Sequence, residues 1–151
     1  PEVAAAGLAG VTALPGRLAE RGMAGGWRLI DDSYNANPAS LYAALQVLAE
    51  RPGRRWLVLG DMAELGVASD KLHREIGAAA RDLGIERLFA IGPHAEAVVH
   101  AFGERGAAFT DVPALVDHLT ARLGPDVTCL VKGSRSAHME RVIERLEGAS
   151  C

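Results

Sequence analysis

Apolar positions along this chain keep two rhythms, and the rhythms alternate. After Asn37-Pro38, the residues Leu41, Ala44, Leu45 and Leu48 recur at the spacing of one helix face. Asn37 can cap that helix, Pro38 suits its first turn, and Pro52-Gly53 ends it. Arg55 to Leu59 then makes a short run of buried-strand type. Leu72, Ile76, Ala79 and Leu83 predict a second helix, stopped by Gly84. Leu88 to Ile91 predicts a strand, 94–102 a helix, and Ala107 to Phe109 a weak strand. Pro113 opens a helix bearing Leu115, Val116, Leu119 and Leu123, closed by Gly124-Pro125. Thr128 to Val131 is the next strand, and Met139, Val142, Ile143 and Leu146 mark the last helix. Upstream, Arg17 to Arg21 and Trp27 to Ile30 flank the Gly-rich turn Gly22 to Gly26, as an antiparallel strand pair does. Residues 1–16, rich in Ala and Gly, predict a short helix and a linker.

Strand and helix in strict alternation predict an α/β fold. The sheet is mainly parallel, with right-handed crossovers and helices on both faces. The antiparallel exception lies near the N-terminus.

Composition narrows the function classes. A chain of 151 residues fits one ordinary domain with its own core. A net charge of −3 and the lack of any basic tract give nucleic acid no purchase. No membrane-length apolar run or signal peptide is visible, and two cysteines, Cys129 and Cys151, without metal spacing fit a reducing, cytoplasmic setting. The chain starts at Pro1, which suggests a piece of a longer protein.

In an open α/β sheet, ligands bind beyond the carboxyl ends of the strands. Here the strands are followed by DDSYNAN, GDMAELG, GPH and KGSR. All four segments are expected on one edge. Tight turns explain Gly60, Gly92 and Gly133, and capping explains Asn37. Ser134 or Ser136 can cap the last helix. The chemical variety exceeds those needs. Asp31 and Asp32 point to opposite faces of an extended chain, so one can serve a ligand and the other the fold. A carboxylate there suits ribose hydroxyls, Tyr34 offers a ring face, Asn35 offers a donor and an acceptor, and Lys132 or Arg135 can answer a phosphate or carboxylate. His73, near the start of the second helix, could be functional, but a polar helix residue is the simpler reading. His94 and His138 lie on the same edge, but no metal-ligand spacing joins the histidines. Neither Glu64 with Asp61 nor any serine arrangement makes an acid–base pair. The chain carries neither G-x-x-x-x-G-K-[ST] nor G-x-G-x-x-G, so it offers a sugar-and-base side without a phosphate cradle.

RLIDDSYNANPASLYAAL, WLVLGDMAELG followed by His73, and CLVKGSRSAHME together resemble the C-terminal domain of the bacterial Mur ligases. Pro15-Gly16-Arg17-Leu18 is similar to that family's linker motif, and the likeness runs from about residue 7 to 146. The resemblance implies a Rossmann-like, three-layer domain over 17–151 with a six-stranded, mostly parallel sheet, and a linker and domain tail over 1–16. It implies an ATP-dependent amide-forming ligase of peptidoglycan precursor synthesis, with D-alanyl-D-alanine and a UDP-N-acetylmuramoyl-tripeptide as substrates. ATP phosphorylates the tripeptide carboxylate, and the dipeptide amine displaces the phosphate. It places the P-loop, the Mg2+ ligands and the catalytic lysine in other domains, and assigns no catalytic or metal residue to this chain. Carried over residue by residue, it puts Arg17, Asp32, Tyr34, Asn35 and Asn37 near ATP. Asp31 stays open beside Asp32 for the ribose, with Asp32 preferred because it lies further into the loop. It puts Gly60, Asp61, Met62, Lys132, Gly133, Ser134 and Arg135 at the dipeptide and acyl-phosphate edge, leaving open which of those two loops holds the dipeptide. The chain alone is expected to be inactive and to bind ATP weakly. The alternative is a standalone α/β module that binds another nucleotide or a protein.

Overall fold

The computed structural model describes residues 16–149. It contains strands β1 (Ala19–Gly22), β2 (Arg28–Asp32), β3 (Arg54–Gly60), β4 (Arg87–Ile91), β5 (Gly106–Phe109) and β6 (Val127–Lys132). The helices are α1 (Pro38–Ala49), α2 (Ser69–Asp82), α3 (Ala95–Phe102), α4 (Val112–Thr120) and α5 (Glu140–Ala149). The expected helix and linker of residues 1–16 fall, except for Gly16, outside the described residues.

One six-stranded sheet carries the fold, in the order β1-β2-β6-β3-β4-β5. β1 runs antiparallel to β2, and every other pairing is parallel. One face buries Ile30, Leu57, Leu59, Leu88 and Leu130 against Leu41, Leu45 and Leu48 of α1, Ile76 of α2 and Val98 of α3. The other buries Leu29, Trp56, Val58, Phe89 and Val131 against Leu115 and Leu119 of α4 and Val142 and Leu146 of α5. Alternate strand residues therefore serve opposite faces, and the strands are apolar throughout because both faces are covered.

The local signals work as expected, with shifted limits. Asn37 caps α1: its side chain accepts from the Ser40 N–H while the Ser40 hydroxyl accepts from the Asn37 N–H. Asp111 caps α4 through the Ala114 N–H. α4 ends at Thr120, so Leu123 packs from beyond the helix. Neither serine proposed as a cap of the last helix acts as one; the Ser134 and Ser136 hydroxyls bond each other at 3.1 Å. Cys129 is fully buried in β6, where desolvation pushes its thiol up to about 12. Among the described residues no helix is long and apolar enough to cross a membrane.

Chain order places the candidate site. β6 is the last strand, yet it sits between β2 and β3. β2 and β3 lead into helices on one face, while β6 leads into α5 on the other. The loops part at β6, which makes the crevice that α/β sheets use for ligands. In register, Asp32 lies beside Lys132, Lys132 beside Leu59, and Gly60 beside Ile91. The strand ends are thus level along one rim.

Candidate functional site

Two polar clusters meet on this rim. The first is built around Asp32 and Lys132, which are strand residues rather than loop residues as the sequence suggested. Lys132 is 2% exposed. Its Nζ donates to Asp32 Oδ2 at 2.6 Å and to the Asn35 carbonyl at 2.9 Å. Asp32 Oδ1 accepts from the Leu18 N–H at 3.1 Å. Asp31 serves its own loop instead, where its Oδ1 accepts from both the N–H and the hydroxyl of Ser33. Asp32 is thus the acid in the ionic cluster, while Asp31 bonds within its own loop.

Tyr34, two residues beyond Asp32, is 43% exposed. Arg17 lies over its ring at 4.2 Å from the centroid and Arg135 at 5.3 Å. Arg135 also approaches Glu140 at 3.7 Å. Asn35 Oδ1 accepts from the Ala36 N–H, with the Arg135 N–H at 3.4 Å. Asn37 spends its side-chain oxygen on the α1 cap.

The second cluster follows β3. Asp61 accepts from the His94 N–H at 2.9 Å and from His94 Nδ1 at 2.6 Å, and its own carbonyl accepts from the Ser134 N–H at 2.9 Å. His73 is 1% exposed, contrary to its reading as an ordinary polar helix residue. Its Nε2 accepts from the Met62 N–H at 2.9 Å, and its Nδ1 donates to the Ser69 carbonyl at 2.7 Å. Those partners define the tautomer. The His73 and His94 rings stack at 4.3 Å, 12° from parallel.

Asp61, His73 and His94 thus gather at metal-ligand range, which their separation in sequence hid. Their chemistry is that of a hydrogen-bonded cluster. The in-plane lone pairs of stacked rings do not converge on one point, and the Nε2 lone pair of His73 is taken by Met62.

Beside this cluster opens a cavity of about 660 Å³. Asp61, Met62, Ser134 and Met139 line it, with Arg141 and Arg145 of α5. Gly60 and Gly133 owe their identity to packing. A Cβ on Gly60 would lie 2.6 Å from the Met139 sulfur, and one on Gly133 would lie 2.5 Å from Met139 Cγ. Met139 wedges α5 under both loops. The three non-glycine residues with positive φ, among those described, are Leu18, Glu64 and His138. Leu18 contacts Asp32, and the other two follow GDM and KGSR, so the backbone strain gathers at this rim.

The family described as Mur ligase, glutamate ligase domain, matches residues 16–135. The chain belongs to the Mur ligase family. Within that family it is 48% identical over 149 residues to the UDP-N-acetylmuramoyl-tripeptide–D-alanyl-D-alanine ligase of Escherichia coli (strain K12), covering 97% of this chain and 33% of that protein. The structure is similar to the MurF ligase of Thermotoga maritima in complex with ADP, with a TM-score of 0.84 and 28% identity over 95% of this chain and 33% of that one. It is also similar to MurF of Acinetobacter baumannii, with a TM-score of 0.83 and 32% identity over 95% of this chain and 33% of that one. The chain therefore spans about a third of the length of these Mur ligase relatives.

Proposed function

We propose that the chain is the ATP- and dipeptide-positioning C-terminal domain of a cytoplasmic ligase that adds D-alanyl-D-alanine to UDP-N-acetylmuramoyl-tripeptide. The observation that carries this reading is the meeting of DDSYNAN, KGSR and GDM on one rim, where Lys132 bridges Asp32 and Asn35 and Ser134 bonds Asp61. The chain's 48% identity to a ligase of that name supports the choice of substrates.

The donor set fits ATP. Arg17 and Arg135 bring two cations to the Tyr34 ring, suited to phosphates. Asp32 keeps lone pairs for a ribose hydroxyl, and the side-chain NH2 groups of Asn35 and Asn37, whose oxygens are taken, can donate to adenine ring nitrogens. Mg2+ fits less well. The Lys132 ammonium already neutralises Asp32, and both Asp61 oxygens take His94 donors, so a dication there would face a cation or displace a donor. We therefore assign the ion's ligands to other domains of the ligase, where it would neutralise phosphate charge. The dipeptide would lie on the Asp61–Met62 and Ser134 side, in the cavity beside them. The chain's contribution is placement: it holds the amine near the acyl phosphate, so that the new C–N bond forms as phosphate leaves.

The test is an assay of the full-length protein with ATP, UDP-N-acetylmuramoyl-tripeptide and either D-alanyl-D-alanine or single amino acids. Mass spectrometry of the product should show the dipeptide adduct, with ADP released in step. Adducts with single amino acids in place of the dipeptide would overturn the substrate assignment. Absence of any ATP-dependent adduct would favour a binding module.

A further inference from the structure

We propose that His73 is a positioning residue for the dipeptide side of the rim, acting through Met62 and Asp61; this rests on the reading above. The position invites an apolar side chain. The buried residues of α2 are His73, Ile76, Gly77 and Ala80, a core-facing stripe. An imidazole buried there is costly unless both nitrogens are partnered. Both are, and the partners differ in kind. Nδ1–H anchors the ring to its own helix at the Ser69 carbonyl. Nε2 takes the Met62 N–H, an amide two residues beyond the end of β3.

The same short segment is held from two other directions. The Asp61 carbonyl is tied to the Ser134 N–H beyond β6, and the Asp61 carboxylate to His94 at the start of α3. The His73 ring stacks on His94 and so completes the clamp. A loop that only had to turn needs no three-way restraint. Asp61 and Met62 line the cavity while His73 does not. Its effect on a ligand must pass through those two residues, as befits a supporting residue beneath a binding surface.

His73→Gln keeps an acceptor at the place of Nε2; His73→Leu keeps bulk and removes it. In the full-length ligase, His73→Leu should raise KM for D-alanyl-D-alanine about tenfold or more, since small misplacements at a reacting centre are costly. KM for ATP should stay within about twofold, because the Asp32–Lys132 cluster makes no contact with His73. His73→Gln should recover most of the loss. Hydrogen exchange of the peptide spanning residues 60–66 should quicken in His73→Leu and not in His73→Gln, whether or not the protein turns over. A wild-type enzyme that makes no dipeptide adduct sinks the functional reading, yet exchange still reports on the clamp. An active wild type overturns the proposal if Leu leaves the dipeptide KM unchanged, if Leu and Gln fail equally, or if exchange in 60–66 does not respond.

Discussion

Replacing Lys132 by methionine isolates the contribution of the ion pair that joins the two halves of the rim. The substitution keeps most of the unbranched stem and removes the ammonium from a residue that is 2% exposed. It leaves Asp32 Oδ2 without its 2.6 Å partner and the Asn35 carbonyl without its 2.9 Å one. Breaking one side of a buried pair costs about 3–5 kcal/mol. Asp32 retains the Leu18 N–H, and its side chain keeps 11% exposure, so the lower end applies, about 3 kcal/mol. For a chain of this size that is a fall in Tm of roughly 6–12 °C. Asp32→Asn on top of Lys132→Met removes the orphaned charge, so the double variant should be more stable than the sum of the single losses by about 2 kcal/mol. Urea and thermal unfolding of the four proteins measure this directly. A cycle additive to within about 0.5 kcal/mol would mean the pair is not coupled and the reasoning is wrong. The same coupling bears on kinetics. The resemblance gave Asp32 to ATP and Lys132 to the dipeptide, but groups in one ion pair should disturb both substrates when either is lost.

Three other outcomes are expected. The 151-residue chain alone should show no ligase turnover and only weak ATP binding by calorimetry; measurable turnover by it would refute the proposed division of labour between domains. Gly133→Ala should destabilise by about 1–3 kcal/mol through overpacking against Met139, and Met139→Ala in the same chain should relieve part of that loss in thermal melts. Desolvation pushes the Glu86 carboxyl up, but hydrogen bonds from Trp56 and Arg54 and the charges of Arg54 and Arg87 outweigh it and hold it below the usual glutamate value. Its contribution is therefore present above the unfolded pKa and lost as pH falls through the folded one, so Glu86→Gln should flatten the acid side of a stability–pH curve.

The architecture was legible because each segment's rhythm agreed with its end signals. Asn37-Pro38 and Pro113 mark helix starts in the sequence, and helices begin there in the structure. Grouping the strand ends on one rim needed only the rule that parallel strands share a direction. The insertion of β6 between β2 and β3 was not legible, since no local pattern encodes strand order. The burial of His73 was hidden for a definite reason. The second helix was read with Leu72, Ile76, Ala79 and Leu83 as its face, whereas its buried stripe is one position round, through His73, Ile76, Gly77 and Ala80. A histidine in phase with Ile76 and Ala80 was the available signal. The glycines of GDM and KGSR read as turn residues in the sequence, and the approach of Met139 to both is set by tertiary packing that spacing does not encode.

The way the chain enters the domain has a mechanical meaning. The Gly16 carbonyl accepts from the Tyr34 N–H at 2.7 Å, and two residues later the Leu18 N–H reaches Asp32. A Cβ at Gly16 would lie 3.0 Å from the Tyr34 nitrogen, so the entering backbone lies flush against that loop. A backbone rotation at Gly16 would therefore be felt at both the tyrosine and the carboxylate through these two bonds. The conformation at Gly16 and the shape of the rim are thus set together.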